Sequence, residues 1–206
     1  MMLFTPRPHD LLWLKPGAAL EGILDDWVAQ QWNPNLPLVV RRDVNHQGRI
    51  PVGVRGNRRE QRAAGWVQAS DVRRQMTPDM LAEHTRLLDS PFCSLPPVQA
   101  ALKLTGQNWG WQWGITGSTG FALATGVAVL HADSDLDLLI RAPEPLSREA
   151  LLHWQSSVMA LPCRADTQVE TPYGAFALNE WLREGRVLLK TDHGPRLTAS
   201  PWFREE

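Results

Sequence analysis

The pattern of apolar residues in the first half of the chain predicts one helix followed by a small sheet. Apolar side chains recur at helical spacing and stop before Asn33-Pro34, which indicates an amphipathic helix that ends there. These residues are Leu20, Ile23, Leu24, Trp27 and Val28. Two apolar runs follow at residues 38–40 and 50–54, separated by the turn-forming residues 45–48. Each run suits a short strand.

The second half opens with a helix and a strand. A helical apolar stripe begins at Pro97 and closes at Gly106, and these residue types favour the two ends of a helix. Three tryptophans then alternate with Gly110 and Gln112, which predicts a strand with one aromatic face running into Ile115. The tryptophans are Trp109, Trp111 and Trp113. Packing in a core or between domains is the commoner role of such residues.

Helices and strands alternate through the rest of the chain. A turn at residues 116–118 leads into a short helix. Residues 131–141 suit a strand in which Leu136, Leu138 and Ile140 lie on one face and the aspartates on the other. A helix with Ser147 as its N-cap follows, and then a strand over residues 163–170. The last predicted helix covers residues 175–183.

A segment rich in proline separates the two halves. Residues 90–97 read Ser-Pro-Phe-Cys-Ser-Leu-Pro-Pro, a composition that favours a connection over a helix or a strand. We therefore expect two domains, comprising residues 1–90 and 91–206.

Composition and charge narrow the class of protein. Of the 206 residues, 43% are hydrophobic and 21% are charged, as in an ordinary soluble globular protein. A formal net charge of -1 provides little attraction to a polyanion, so we expect no nucleic-acid partner. Two cysteines are too few for a disulfide framework. We find neither an export signal nor the roughly 18 to 20 apolar residues that span a bilayer, and we expect a cytoplasmic protein without membrane contact.

Arginines are concentrated in the first half despite the nearly neutral total. They are Arg41, Arg42, Arg49, Arg55, Arg58, Arg59, Arg62, Arg73 and Arg74. Gly53 and Gly56 flank a tight basic loop, and arginine suits contact with an anion. A solvated basic face is the alternative. We favour anion binding by Arg55, Arg58, Arg59 and Arg62, with Arg55 and Arg59 as first choices.

The segment with the clearest chemistry combines a glycine-serine turn with two aspartates. Residues 117–120 read Gly-Ser-Thr-Gly, and Asp135 follows Ser118 after 135 − 118 = 17 positions, with Asp137 two positions later. Alternate side chains of a strand share a face, so these carboxylates project together and repel each other unless a cation lies between them. Mg²⁺ takes such oxygen ligands together with phosphate oxygens.

The turn complements the acid pair. Glycine at position 117 lets the backbone approach a phosphate, the following helix presents free N–H groups, and Ser118 adds a hydroxyl donor. The alternative is a solvated strand end or a metal-free turn, since two spaced aspartates occur often by chance. Asp133 would lie on the same strand face as Asp135 and Asp137, but it is nearer the start of the strand and suits a turn better.

Gly117-Ser118 followed by Asp135-Leu136-Asp137 resembles the signature of the DNA polymerase beta-like nucleotidyltransferase superfamily. The resemblance implies an α+β fold: a small N-terminal α/β domain, then a nucleotidyltransferase-like mixed sheet with flanking helices. It also implies a third carboxylate on the next strand, where Asp166 and Glu170 share a face. We prefer Asp166 because it lies earlier on the strand. Catalysis and binding of Mg²⁺ or Mn²⁺ would then fall to Asp135, Asp137 and Asp166.

A closer resemblance covers most of the chain. Its segments are residues 8–13, 51–62, 116–126 and 133–138, and their combined order is similar to that of the malonate decarboxylase holo-acyl-carrier-protein synthases, or phosphoribosyl-dephospho-CoA transferases. This family implies transfer of phosphoribosyl-dephospho-CoA from 2'-(5''-triphosphoribosyl)-3'-dephospho-CoA to a serine of the acyl carrier protein of malonate decarboxylase, with release of pyrophosphate. The first domain would bind substrate or partner, and the second would catalyse.

Two other functions stay open at this point. One is a different nucleotidyltransferase, which moves a nucleoside monophosphate to protein or RNA. The other is a non-catalytic module that binds the carrier, against which the retained acids argue. Stacking of the tryptophans on the adenine of the substrate is likewise an alternative to their packing role.

Overall fold

Two structural units divide the chain between Thr77 and Pro78. The first comprises Met1–Thr77 and the second Pro78–Glu206. The computed structural model describes residues 5–23, 25–44, 48–58 and 60–204. Three features from the sequence analysis lie outside the described residues, namely Leu24, residues 45–47 of the expected turn, and Arg59.

An antiparallel sheet forms the first unit. Its strands are β1 (Leu11–Leu14), β2 (Leu38–Val40), β3 (Arg49–Arg55), β4 (Arg62–Gln68) and β5 (Val72–Met76), and α1 (Asp26–Gln31) lies between β1 and β2 in sequence. Over the described residues of this unit the order is β4-β3-β2-β1-β5, with antiparallel pairing throughout. The strands expected at residues 38–40 and 50–54 are confirmed as β2 and β3.

The helix expected from residue 20 onwards is shorter than its apolar pattern suggests, because α1 begins at Asp26. Glu21 instead forms a bridge with Trp66 of β4. The Glu21 N–H donates to the Trp66 carbonyl at 3.0 Å, and the Trp66 N–H donates back at 2.9 Å. Gly22 has a φ of 74°, in the left-handed region that a right-handed helix does not use. Leu20 and Ile23 still pack against the core of the unit.

A mixed sheet with flanking helices forms the second unit. Its strands are β6 (Gln112–Thr116), β7 (Leu136–Arg141), β8 (Ala165–Thr171), β9 (Gly174–Ala177), β10 (Val187–Thr191) and β11 (Gly194–Thr198). Its helices are α2 (Pro78–Leu81), α3 (His84–Leu88), α4 (Pro96–Thr105), α5 (Gly117–Thr125), α6 (Arg148–Met159) and α7 (Leu178–Glu184). Across residues 78–204 the strand order is β11-β10-β9-β8-β7-β6. The expected α+β fold class is confirmed.

The connections between β6, β7 and β8 bring one end of each of these strands to the same edge of the sheet. β6 and β7 are antiparallel neighbours, and α5 lies between them in sequence. β7 and β8 are parallel neighbours, which requires a long crossover, and α6 provides it. The end of β6 therefore lies beside the beginnings of β7 and β8.

Several helix ends agree with the sequence analysis. α4 begins with Pro96 and Pro97 and ends at Gly106. α6 has Ser147 as its N-cap, and the hydroxyl of Ser147 accepts a hydrogen bond from the backbone N–H of Ala150 at 3.1 Å. Side-chain capping of this kind satisfies an N–H group that the helix leaves without an internal acceptor.

Two expected elements differ from those observed. β7 begins at Leu136 and not at His131, because His131 and Ser134 close a turn with hydrogen bonds of 2.9 and 3.1 Å. Asp133 lies in that turn, as expected. The final helix begins at Leu178 and not at Ala175, because residues 174–177 form β9 and pair with β8. The hairpin of β10 and β11 was not anticipated.

The boundary expected between residues 90 and 91 falls inside the second unit. α2 packs against β6 and α3 packs against α4, so residues before the proline-rich segment already belong to the second core. Within that segment Pro96 and Pro97 open α4, because proline fits the first turn of a helix. Of the helices in the described ranges, none has the length and apolar character that a membrane crossing requires.

Four tryptophans pack against one another in the second unit. Trp154 of α6 is fully buried. Its ring centroid lies 4.7 Å from that of Trp109, 6.2 Å from that of Trp111 and 5.5 Å from that of Trp113. The indole N–H of Trp154 donates to the hydroxyl of Thr167 in β8 at 3.0 Å. The packing role expected for these tryptophans is confirmed, although Trp109 and Trp111 precede β6.

Replacement of Trp154 tests this core. We expect Trp154→Ala to lower the free energy of unfolding by about 3 to 5 kcal/mol, through lost burial and the cavity that remains. Met159→Ala on the same helix is the control, since Met159 is 78% exposed and should change stability by less than about 0.5 kcal/mol. Urea unfolding measures both values, and equal stability of the two variants would contradict the central role of Trp154.

Candidate active site

Gly117 lies directly against the carboxylate of Asp137. Thr116, the last residue of β6, pairs with Asp137 of β7, and Gly117 begins α5 with a φ of 63°. A Cβ atom at this position would overlap Oδ2 of Asp137 and lie 2.8 Å from its Cγ. Position 117 therefore requires glycine for two reasons, its left-handed backbone and its lack of a side chain. The expected approach of the turn to the acid pair is observed here.

Two threonine hydroxyls connect the start of α5 to the backbone around the acids. Thr116 donates to the carbonyl of Asp137 at 3.4 Å, and Thr119 donates to the carbonyl of Asp135 at 3.3 Å. Thr119 is fully buried, so its contact is shielded from water. No role was predicted for either threonine from the sequence. In the sequence, the one indication of a role was that the two threonines flank Gly117-Ser118.

Asp166 is the carboxylate that the fold places beside the acid pair. It pairs with Asp137 across the parallel strands β7 and β8, and neighbouring strands lie about 4.8 Å apart. Both residues are exposed. Glu170 lies further along β8 and pairs with Arg141, with 3.5 Å between Oε1 of Glu170 and Nε of Arg141 in a buried environment. Of the two alternatives, the geometry favours Asp166.

Arg164 provides a positive charge within this group, and the sequence analysis did not single it out. Its Nη2 atom lies 2.6 Å from Oδ2 of Asp135, and its Nε atom lies 3.9 Å from Oδ2 of Asp166. The sequence offered one indication: residues 164 and 166 are two positions apart, so their side chains share one face when the strand is extended through them. The arginine brings Asp135, which precedes β7, together with Asp166.

The negative charge of the site acts on a neighbouring thiol. Burial raises the pKa of Cys163, and the charge of Asp135 raises it further, because both disfavour a thiolate. A backbone hydrogen bond from Leu136 acts in the opposite direction. Cys163 therefore lies within the electrostatic field of the acid group.

The donor chemistry of the acids suits a hard divalent cation. Asp137 and Asp166 present carboxylate oxygens from adjacent strands, and Mg²⁺ prefers such oxygen ligands. Among the described residues, no three His, Cys, Asp or Glu side chains already form a metal-binding group. The carboxylate of Asp135 instead contacts Arg164.

The expected arginine loop lies in the first unit, where β3 and β4 form a hairpin. Arg55 and Arg62 are directly opposite each other across its strands. Arg55 is half-buried, and burial followed by the charge of Arg62 lowers the pKa of its guanidinium. The loop is closed by the N–H of Gly56, which donates to the carbonyl of Gln61 at 3.0 Å. Arg58 is exposed in this loop.

The second unit has an α+β fold in which aspartates on adjacent strands lie beside the N-terminus of α5. This arrangement fits the class of transferases that act on phosphorylated substrates. A family model described as phosphoribosyl-dephospho-CoA transferase MdcG N-terminal domain matches residues 7–78, and the corresponding C-terminal domain model matches residues 85–201. The chain therefore belongs to the phosphoribosyl-dephospho-CoA transferase family.

Proteins that align with nearly the whole chain are also named phosphoribosyl-dephospho-CoA transferases. A phosphoribosyl-dephospho-CoA transferase of Klebsiella pneumoniae (strain 342) is 70% identical and aligns over 100% of both chains. One from Pseudomonas putida is 44% identical over 96% of both chains. One from Azotobacter vinelandii is 42% identical over 96% of this chain and 94% of the relative. No solved structure matches the chain.

Gly117→Ala tests the contact between the turn and the acid. The new methyl group would displace the Asp137 carboxylate, and a displacement of about 1 Å lowers a catalytic rate by about 100-fold. We expect a loss of transferase activity of at least that size in initial-rate measurements.

Gly126→Ala is the matched control. Gly126 ends α5 with a φ of 74°, and nothing lies within 4 Å of its Cβ position. Both variants should lose about 1 to 2 kcal/mol of stability from left-handed backbone strain, while Gly126→Ala should keep its activity. Equal activity of the two variants would show that the contact with Asp137 has no catalytic consequence.

Proposed function

We propose that this chain transfers the phosphoribosyl-dephospho-CoA group from 2'-(5''-triphosphoribosyl)-3'-dephospho-CoA to a serine of the apo acyl carrier protein of malonate decarboxylase, in the cytoplasm. The serine oxygen attacks the α-phosphorus, a new phosphodiester bond forms, and the bond to the leaving pyrophosphate breaks. The observation that carries this proposal is the convergence of Gly117, Asp137 and Asp166 in a chain of the transferase family.

In this proposal the acids hold the cation that the reaction requires. Asp137 and Asp166 are adjacent and exposed, so their oxygens are accessible to Mg²⁺ or Mn²⁺, with Asp135 as the third ligand. When bound, such a cation offsets charge at the α-phosphate and on the leaving pyrophosphate. The hydroxyls of Thr116 and Thr119 keep the backbone of the acids in place.

The start of α5 is proposed to hold the β and γ phosphates. The first N–H groups of a helix have no acceptor within it, and they bind anions together with the positive end of the helix dipole. Gly117 and Ser118 are the first residues of this nine-residue helix. Gly117 leaves the space beside its backbone to the Asp137 carboxylate, and Ser118 adds a hydroxyl donor for the phosphates.

The arginine hairpin of the first unit is proposed to bind an anionic group of the donor substrate. Like charges directly opposite each other destabilise a pair of strands, and Arg55 and Arg62 stand in this relation. An anion between them relieves that repulsion, and a guanidinium can bind phosphate through two hydrogen bonds. Arg58 is exposed in the same loop, and Arg59 follows it in the sequence.

Loss of one acid should abolish transfer. We expect Asp137→Asn and Asp166→Asn each to lower the rate at least about 1,000-fold, because an amide keeps the shape but not the charge that holds the cation. The measurement is the mass of apo carrier protein incubated with the enzyme, the triphosphoribosyl precursor and Mg²⁺. Asp133→Asn is the control, because Asp133 lies exposed in the preceding turn.

Each result of this experiment has a defined meaning. No mass gain with the wild-type protein, under conditions where a nucleoside triphosphate is consumed instead, would replace the proposed donor by an ordinary nucleotide. Mass gain at the wild-type rate in both acid variants would remove the roles assigned to Asp137 and Asp166.

Arg55→Ala tests the hairpin. We expect the apparent KM for the precursor to rise, or kcat to fall, by at least about tenfold, which corresponds to about 1.4 kcal/mol. Arg73→Ala is the control, since Arg73 is an exposed arginine on β5 of the same unit and its Nη2 donates to the carbonyl of Pro34 at 3.1 Å. If both variants had the same kinetic constants, the hairpin would be a solvated surface.

A further inference from the structure

The acid group already contains a cation of the chain itself. Arg164 immediately precedes β8 and contacts Asp135 and Asp166 with different nitrogens, at 2.6 Å from Nη2 and 3.9 Å from Nε. The backbone of Arg164 is fixed as well, because its carbonyl accepts the N–H of Leu136 at 2.9 Å. The guanidinium therefore lies between two of the carboxylates to which we assign the divalent cation.

We propose that Arg164 is a positioning residue that takes the place of the divalent cation and holds Asp135 and Asp166 together. Arg164 is displaced from Asp135 when that cation binds. The inference rests on the proposed function for the identity of the cation site. It adds a role for a residue that belongs neither to the acids nor to the turn.

The electrostatics of the group explain why a positive side chain is needed there. The carboxylates of Asp135, Asp137 and Asp166 lie near one another at adjacent strand ends, and their like charges repel unless a counter-charge lies between them. A guanidinium is planar and can contact two carboxylates at once through separate N–H groups. Arg164 thereby keeps Asp135 and Asp166 close together before the cation arrives.

The exposure of the contact explains why it can be exchanged. The Arg164 side chain is 72% exposed, and those of Asp135 and Asp166 are 32% and 58% exposed. Ion pairs at such an exposed position are weak, because water competes for both charges. A divalent cation carries twice the charge of a guanidinium and can approach carboxylate oxygens more closely. The cation therefore displaces Arg164, and the arginine lowers the apparent affinity for the cation.

Mn²⁺ binding in the absence of substrate tests this competition directly. Free Mn²⁺ is followed by electron paramagnetic resonance while the full-length protein is titrated. We expect Arg164→Gln to bind Mn²⁺ about threefold to tenfold more tightly than wild type, because the competing charge is gone. Arg164→Lys retains the charge and should stay within about twofold of wild type.

A matched control and a double variant locate the effect. Arg183 is also 72% exposed and pairs with Glu184 at 2.8 Å on α7, so Arg183→Gln removes an equivalent surface charge and should leave Mn²⁺ affinity unchanged. In an Asp135→Asn background, Arg164→Gln should have a much smaller effect, because the contact to be exchanged is already lost. Circular dichroism of each variant verifies that it is folded.

The outcomes separate this inference from the proposed function. Unchanged or weaker Mn²⁺ binding by Arg164→Gln, or no binding by any variant, overturns the role of Arg164, whatever the carrier mass assay shows. Tighter binding that depends on Asp135 supports the role of Arg164, even if the carrier gains no prosthetic group. In that case the substrate assignment fails and the competition stands.

Discussion

The register between β6, β7 and β8 is the constraint on which the site depends. Thr116 is opposite Asp137, and Asp137 is opposite Asp166, so one row of paired residues brings Gly117 and two carboxylates together. Leu136 and Leu138 flank Asp137 and are buried. A shift of one residue would move Asp137 to the buried position of one of these leucines and place the other at the exposed position 137. Burial of the leucines therefore fixes the position of the acid.

The same pair of strands carries two ion pairs in different environments. At one end Arg141 and Glu170 are buried, with side chains that are 4% and 10% exposed. Separation of such a pair would leave an uncompensated charge in the core, so this pair is part of the fold. At the other end Arg164 and Asp135 are exposed to water, where a contact can be exchanged at small cost. Burial thus separates the structural ion pair from the one that a ligand can replace.

Sequence patterns within a single helix or strand predicted the features that depend on interactions between residues close together in the chain. The alternation of leucine and aspartate predicted a strand with Asp135 and Asp137 on one face, although that strand begins only at Leu136. Ser147 was identified as an N-cap because capping depends on a few adjacent residues. Elements that depend on distant partners were missed. The bridge of Glu21 with Trp66 shortened α1, and the pairing of residues 174–177 with β8 replaced the expected start of α7. Arg164 was missed for the same reason, since its partner Asp135 is 164 − 135 = 29 positions away.

Each unit of the chain concentrates charge of one sign, and that arrangement links folding to ligand binding. Arg55 and Arg62 face each other in the first unit, and the acids of the second unit gather around Arg164. Repulsion within such a group opposes folding. A ligand of opposite charge that binds the folded state stabilises it by an amount that grows with the logarithm of ligand concentration divided by Kd. In the second unit Arg164 provides part of this compensation without a ligand. In the hairpin of the first unit Arg55 and Arg62 are directly opposite each other, so an anion bound between them would offset the repulsion of their charges.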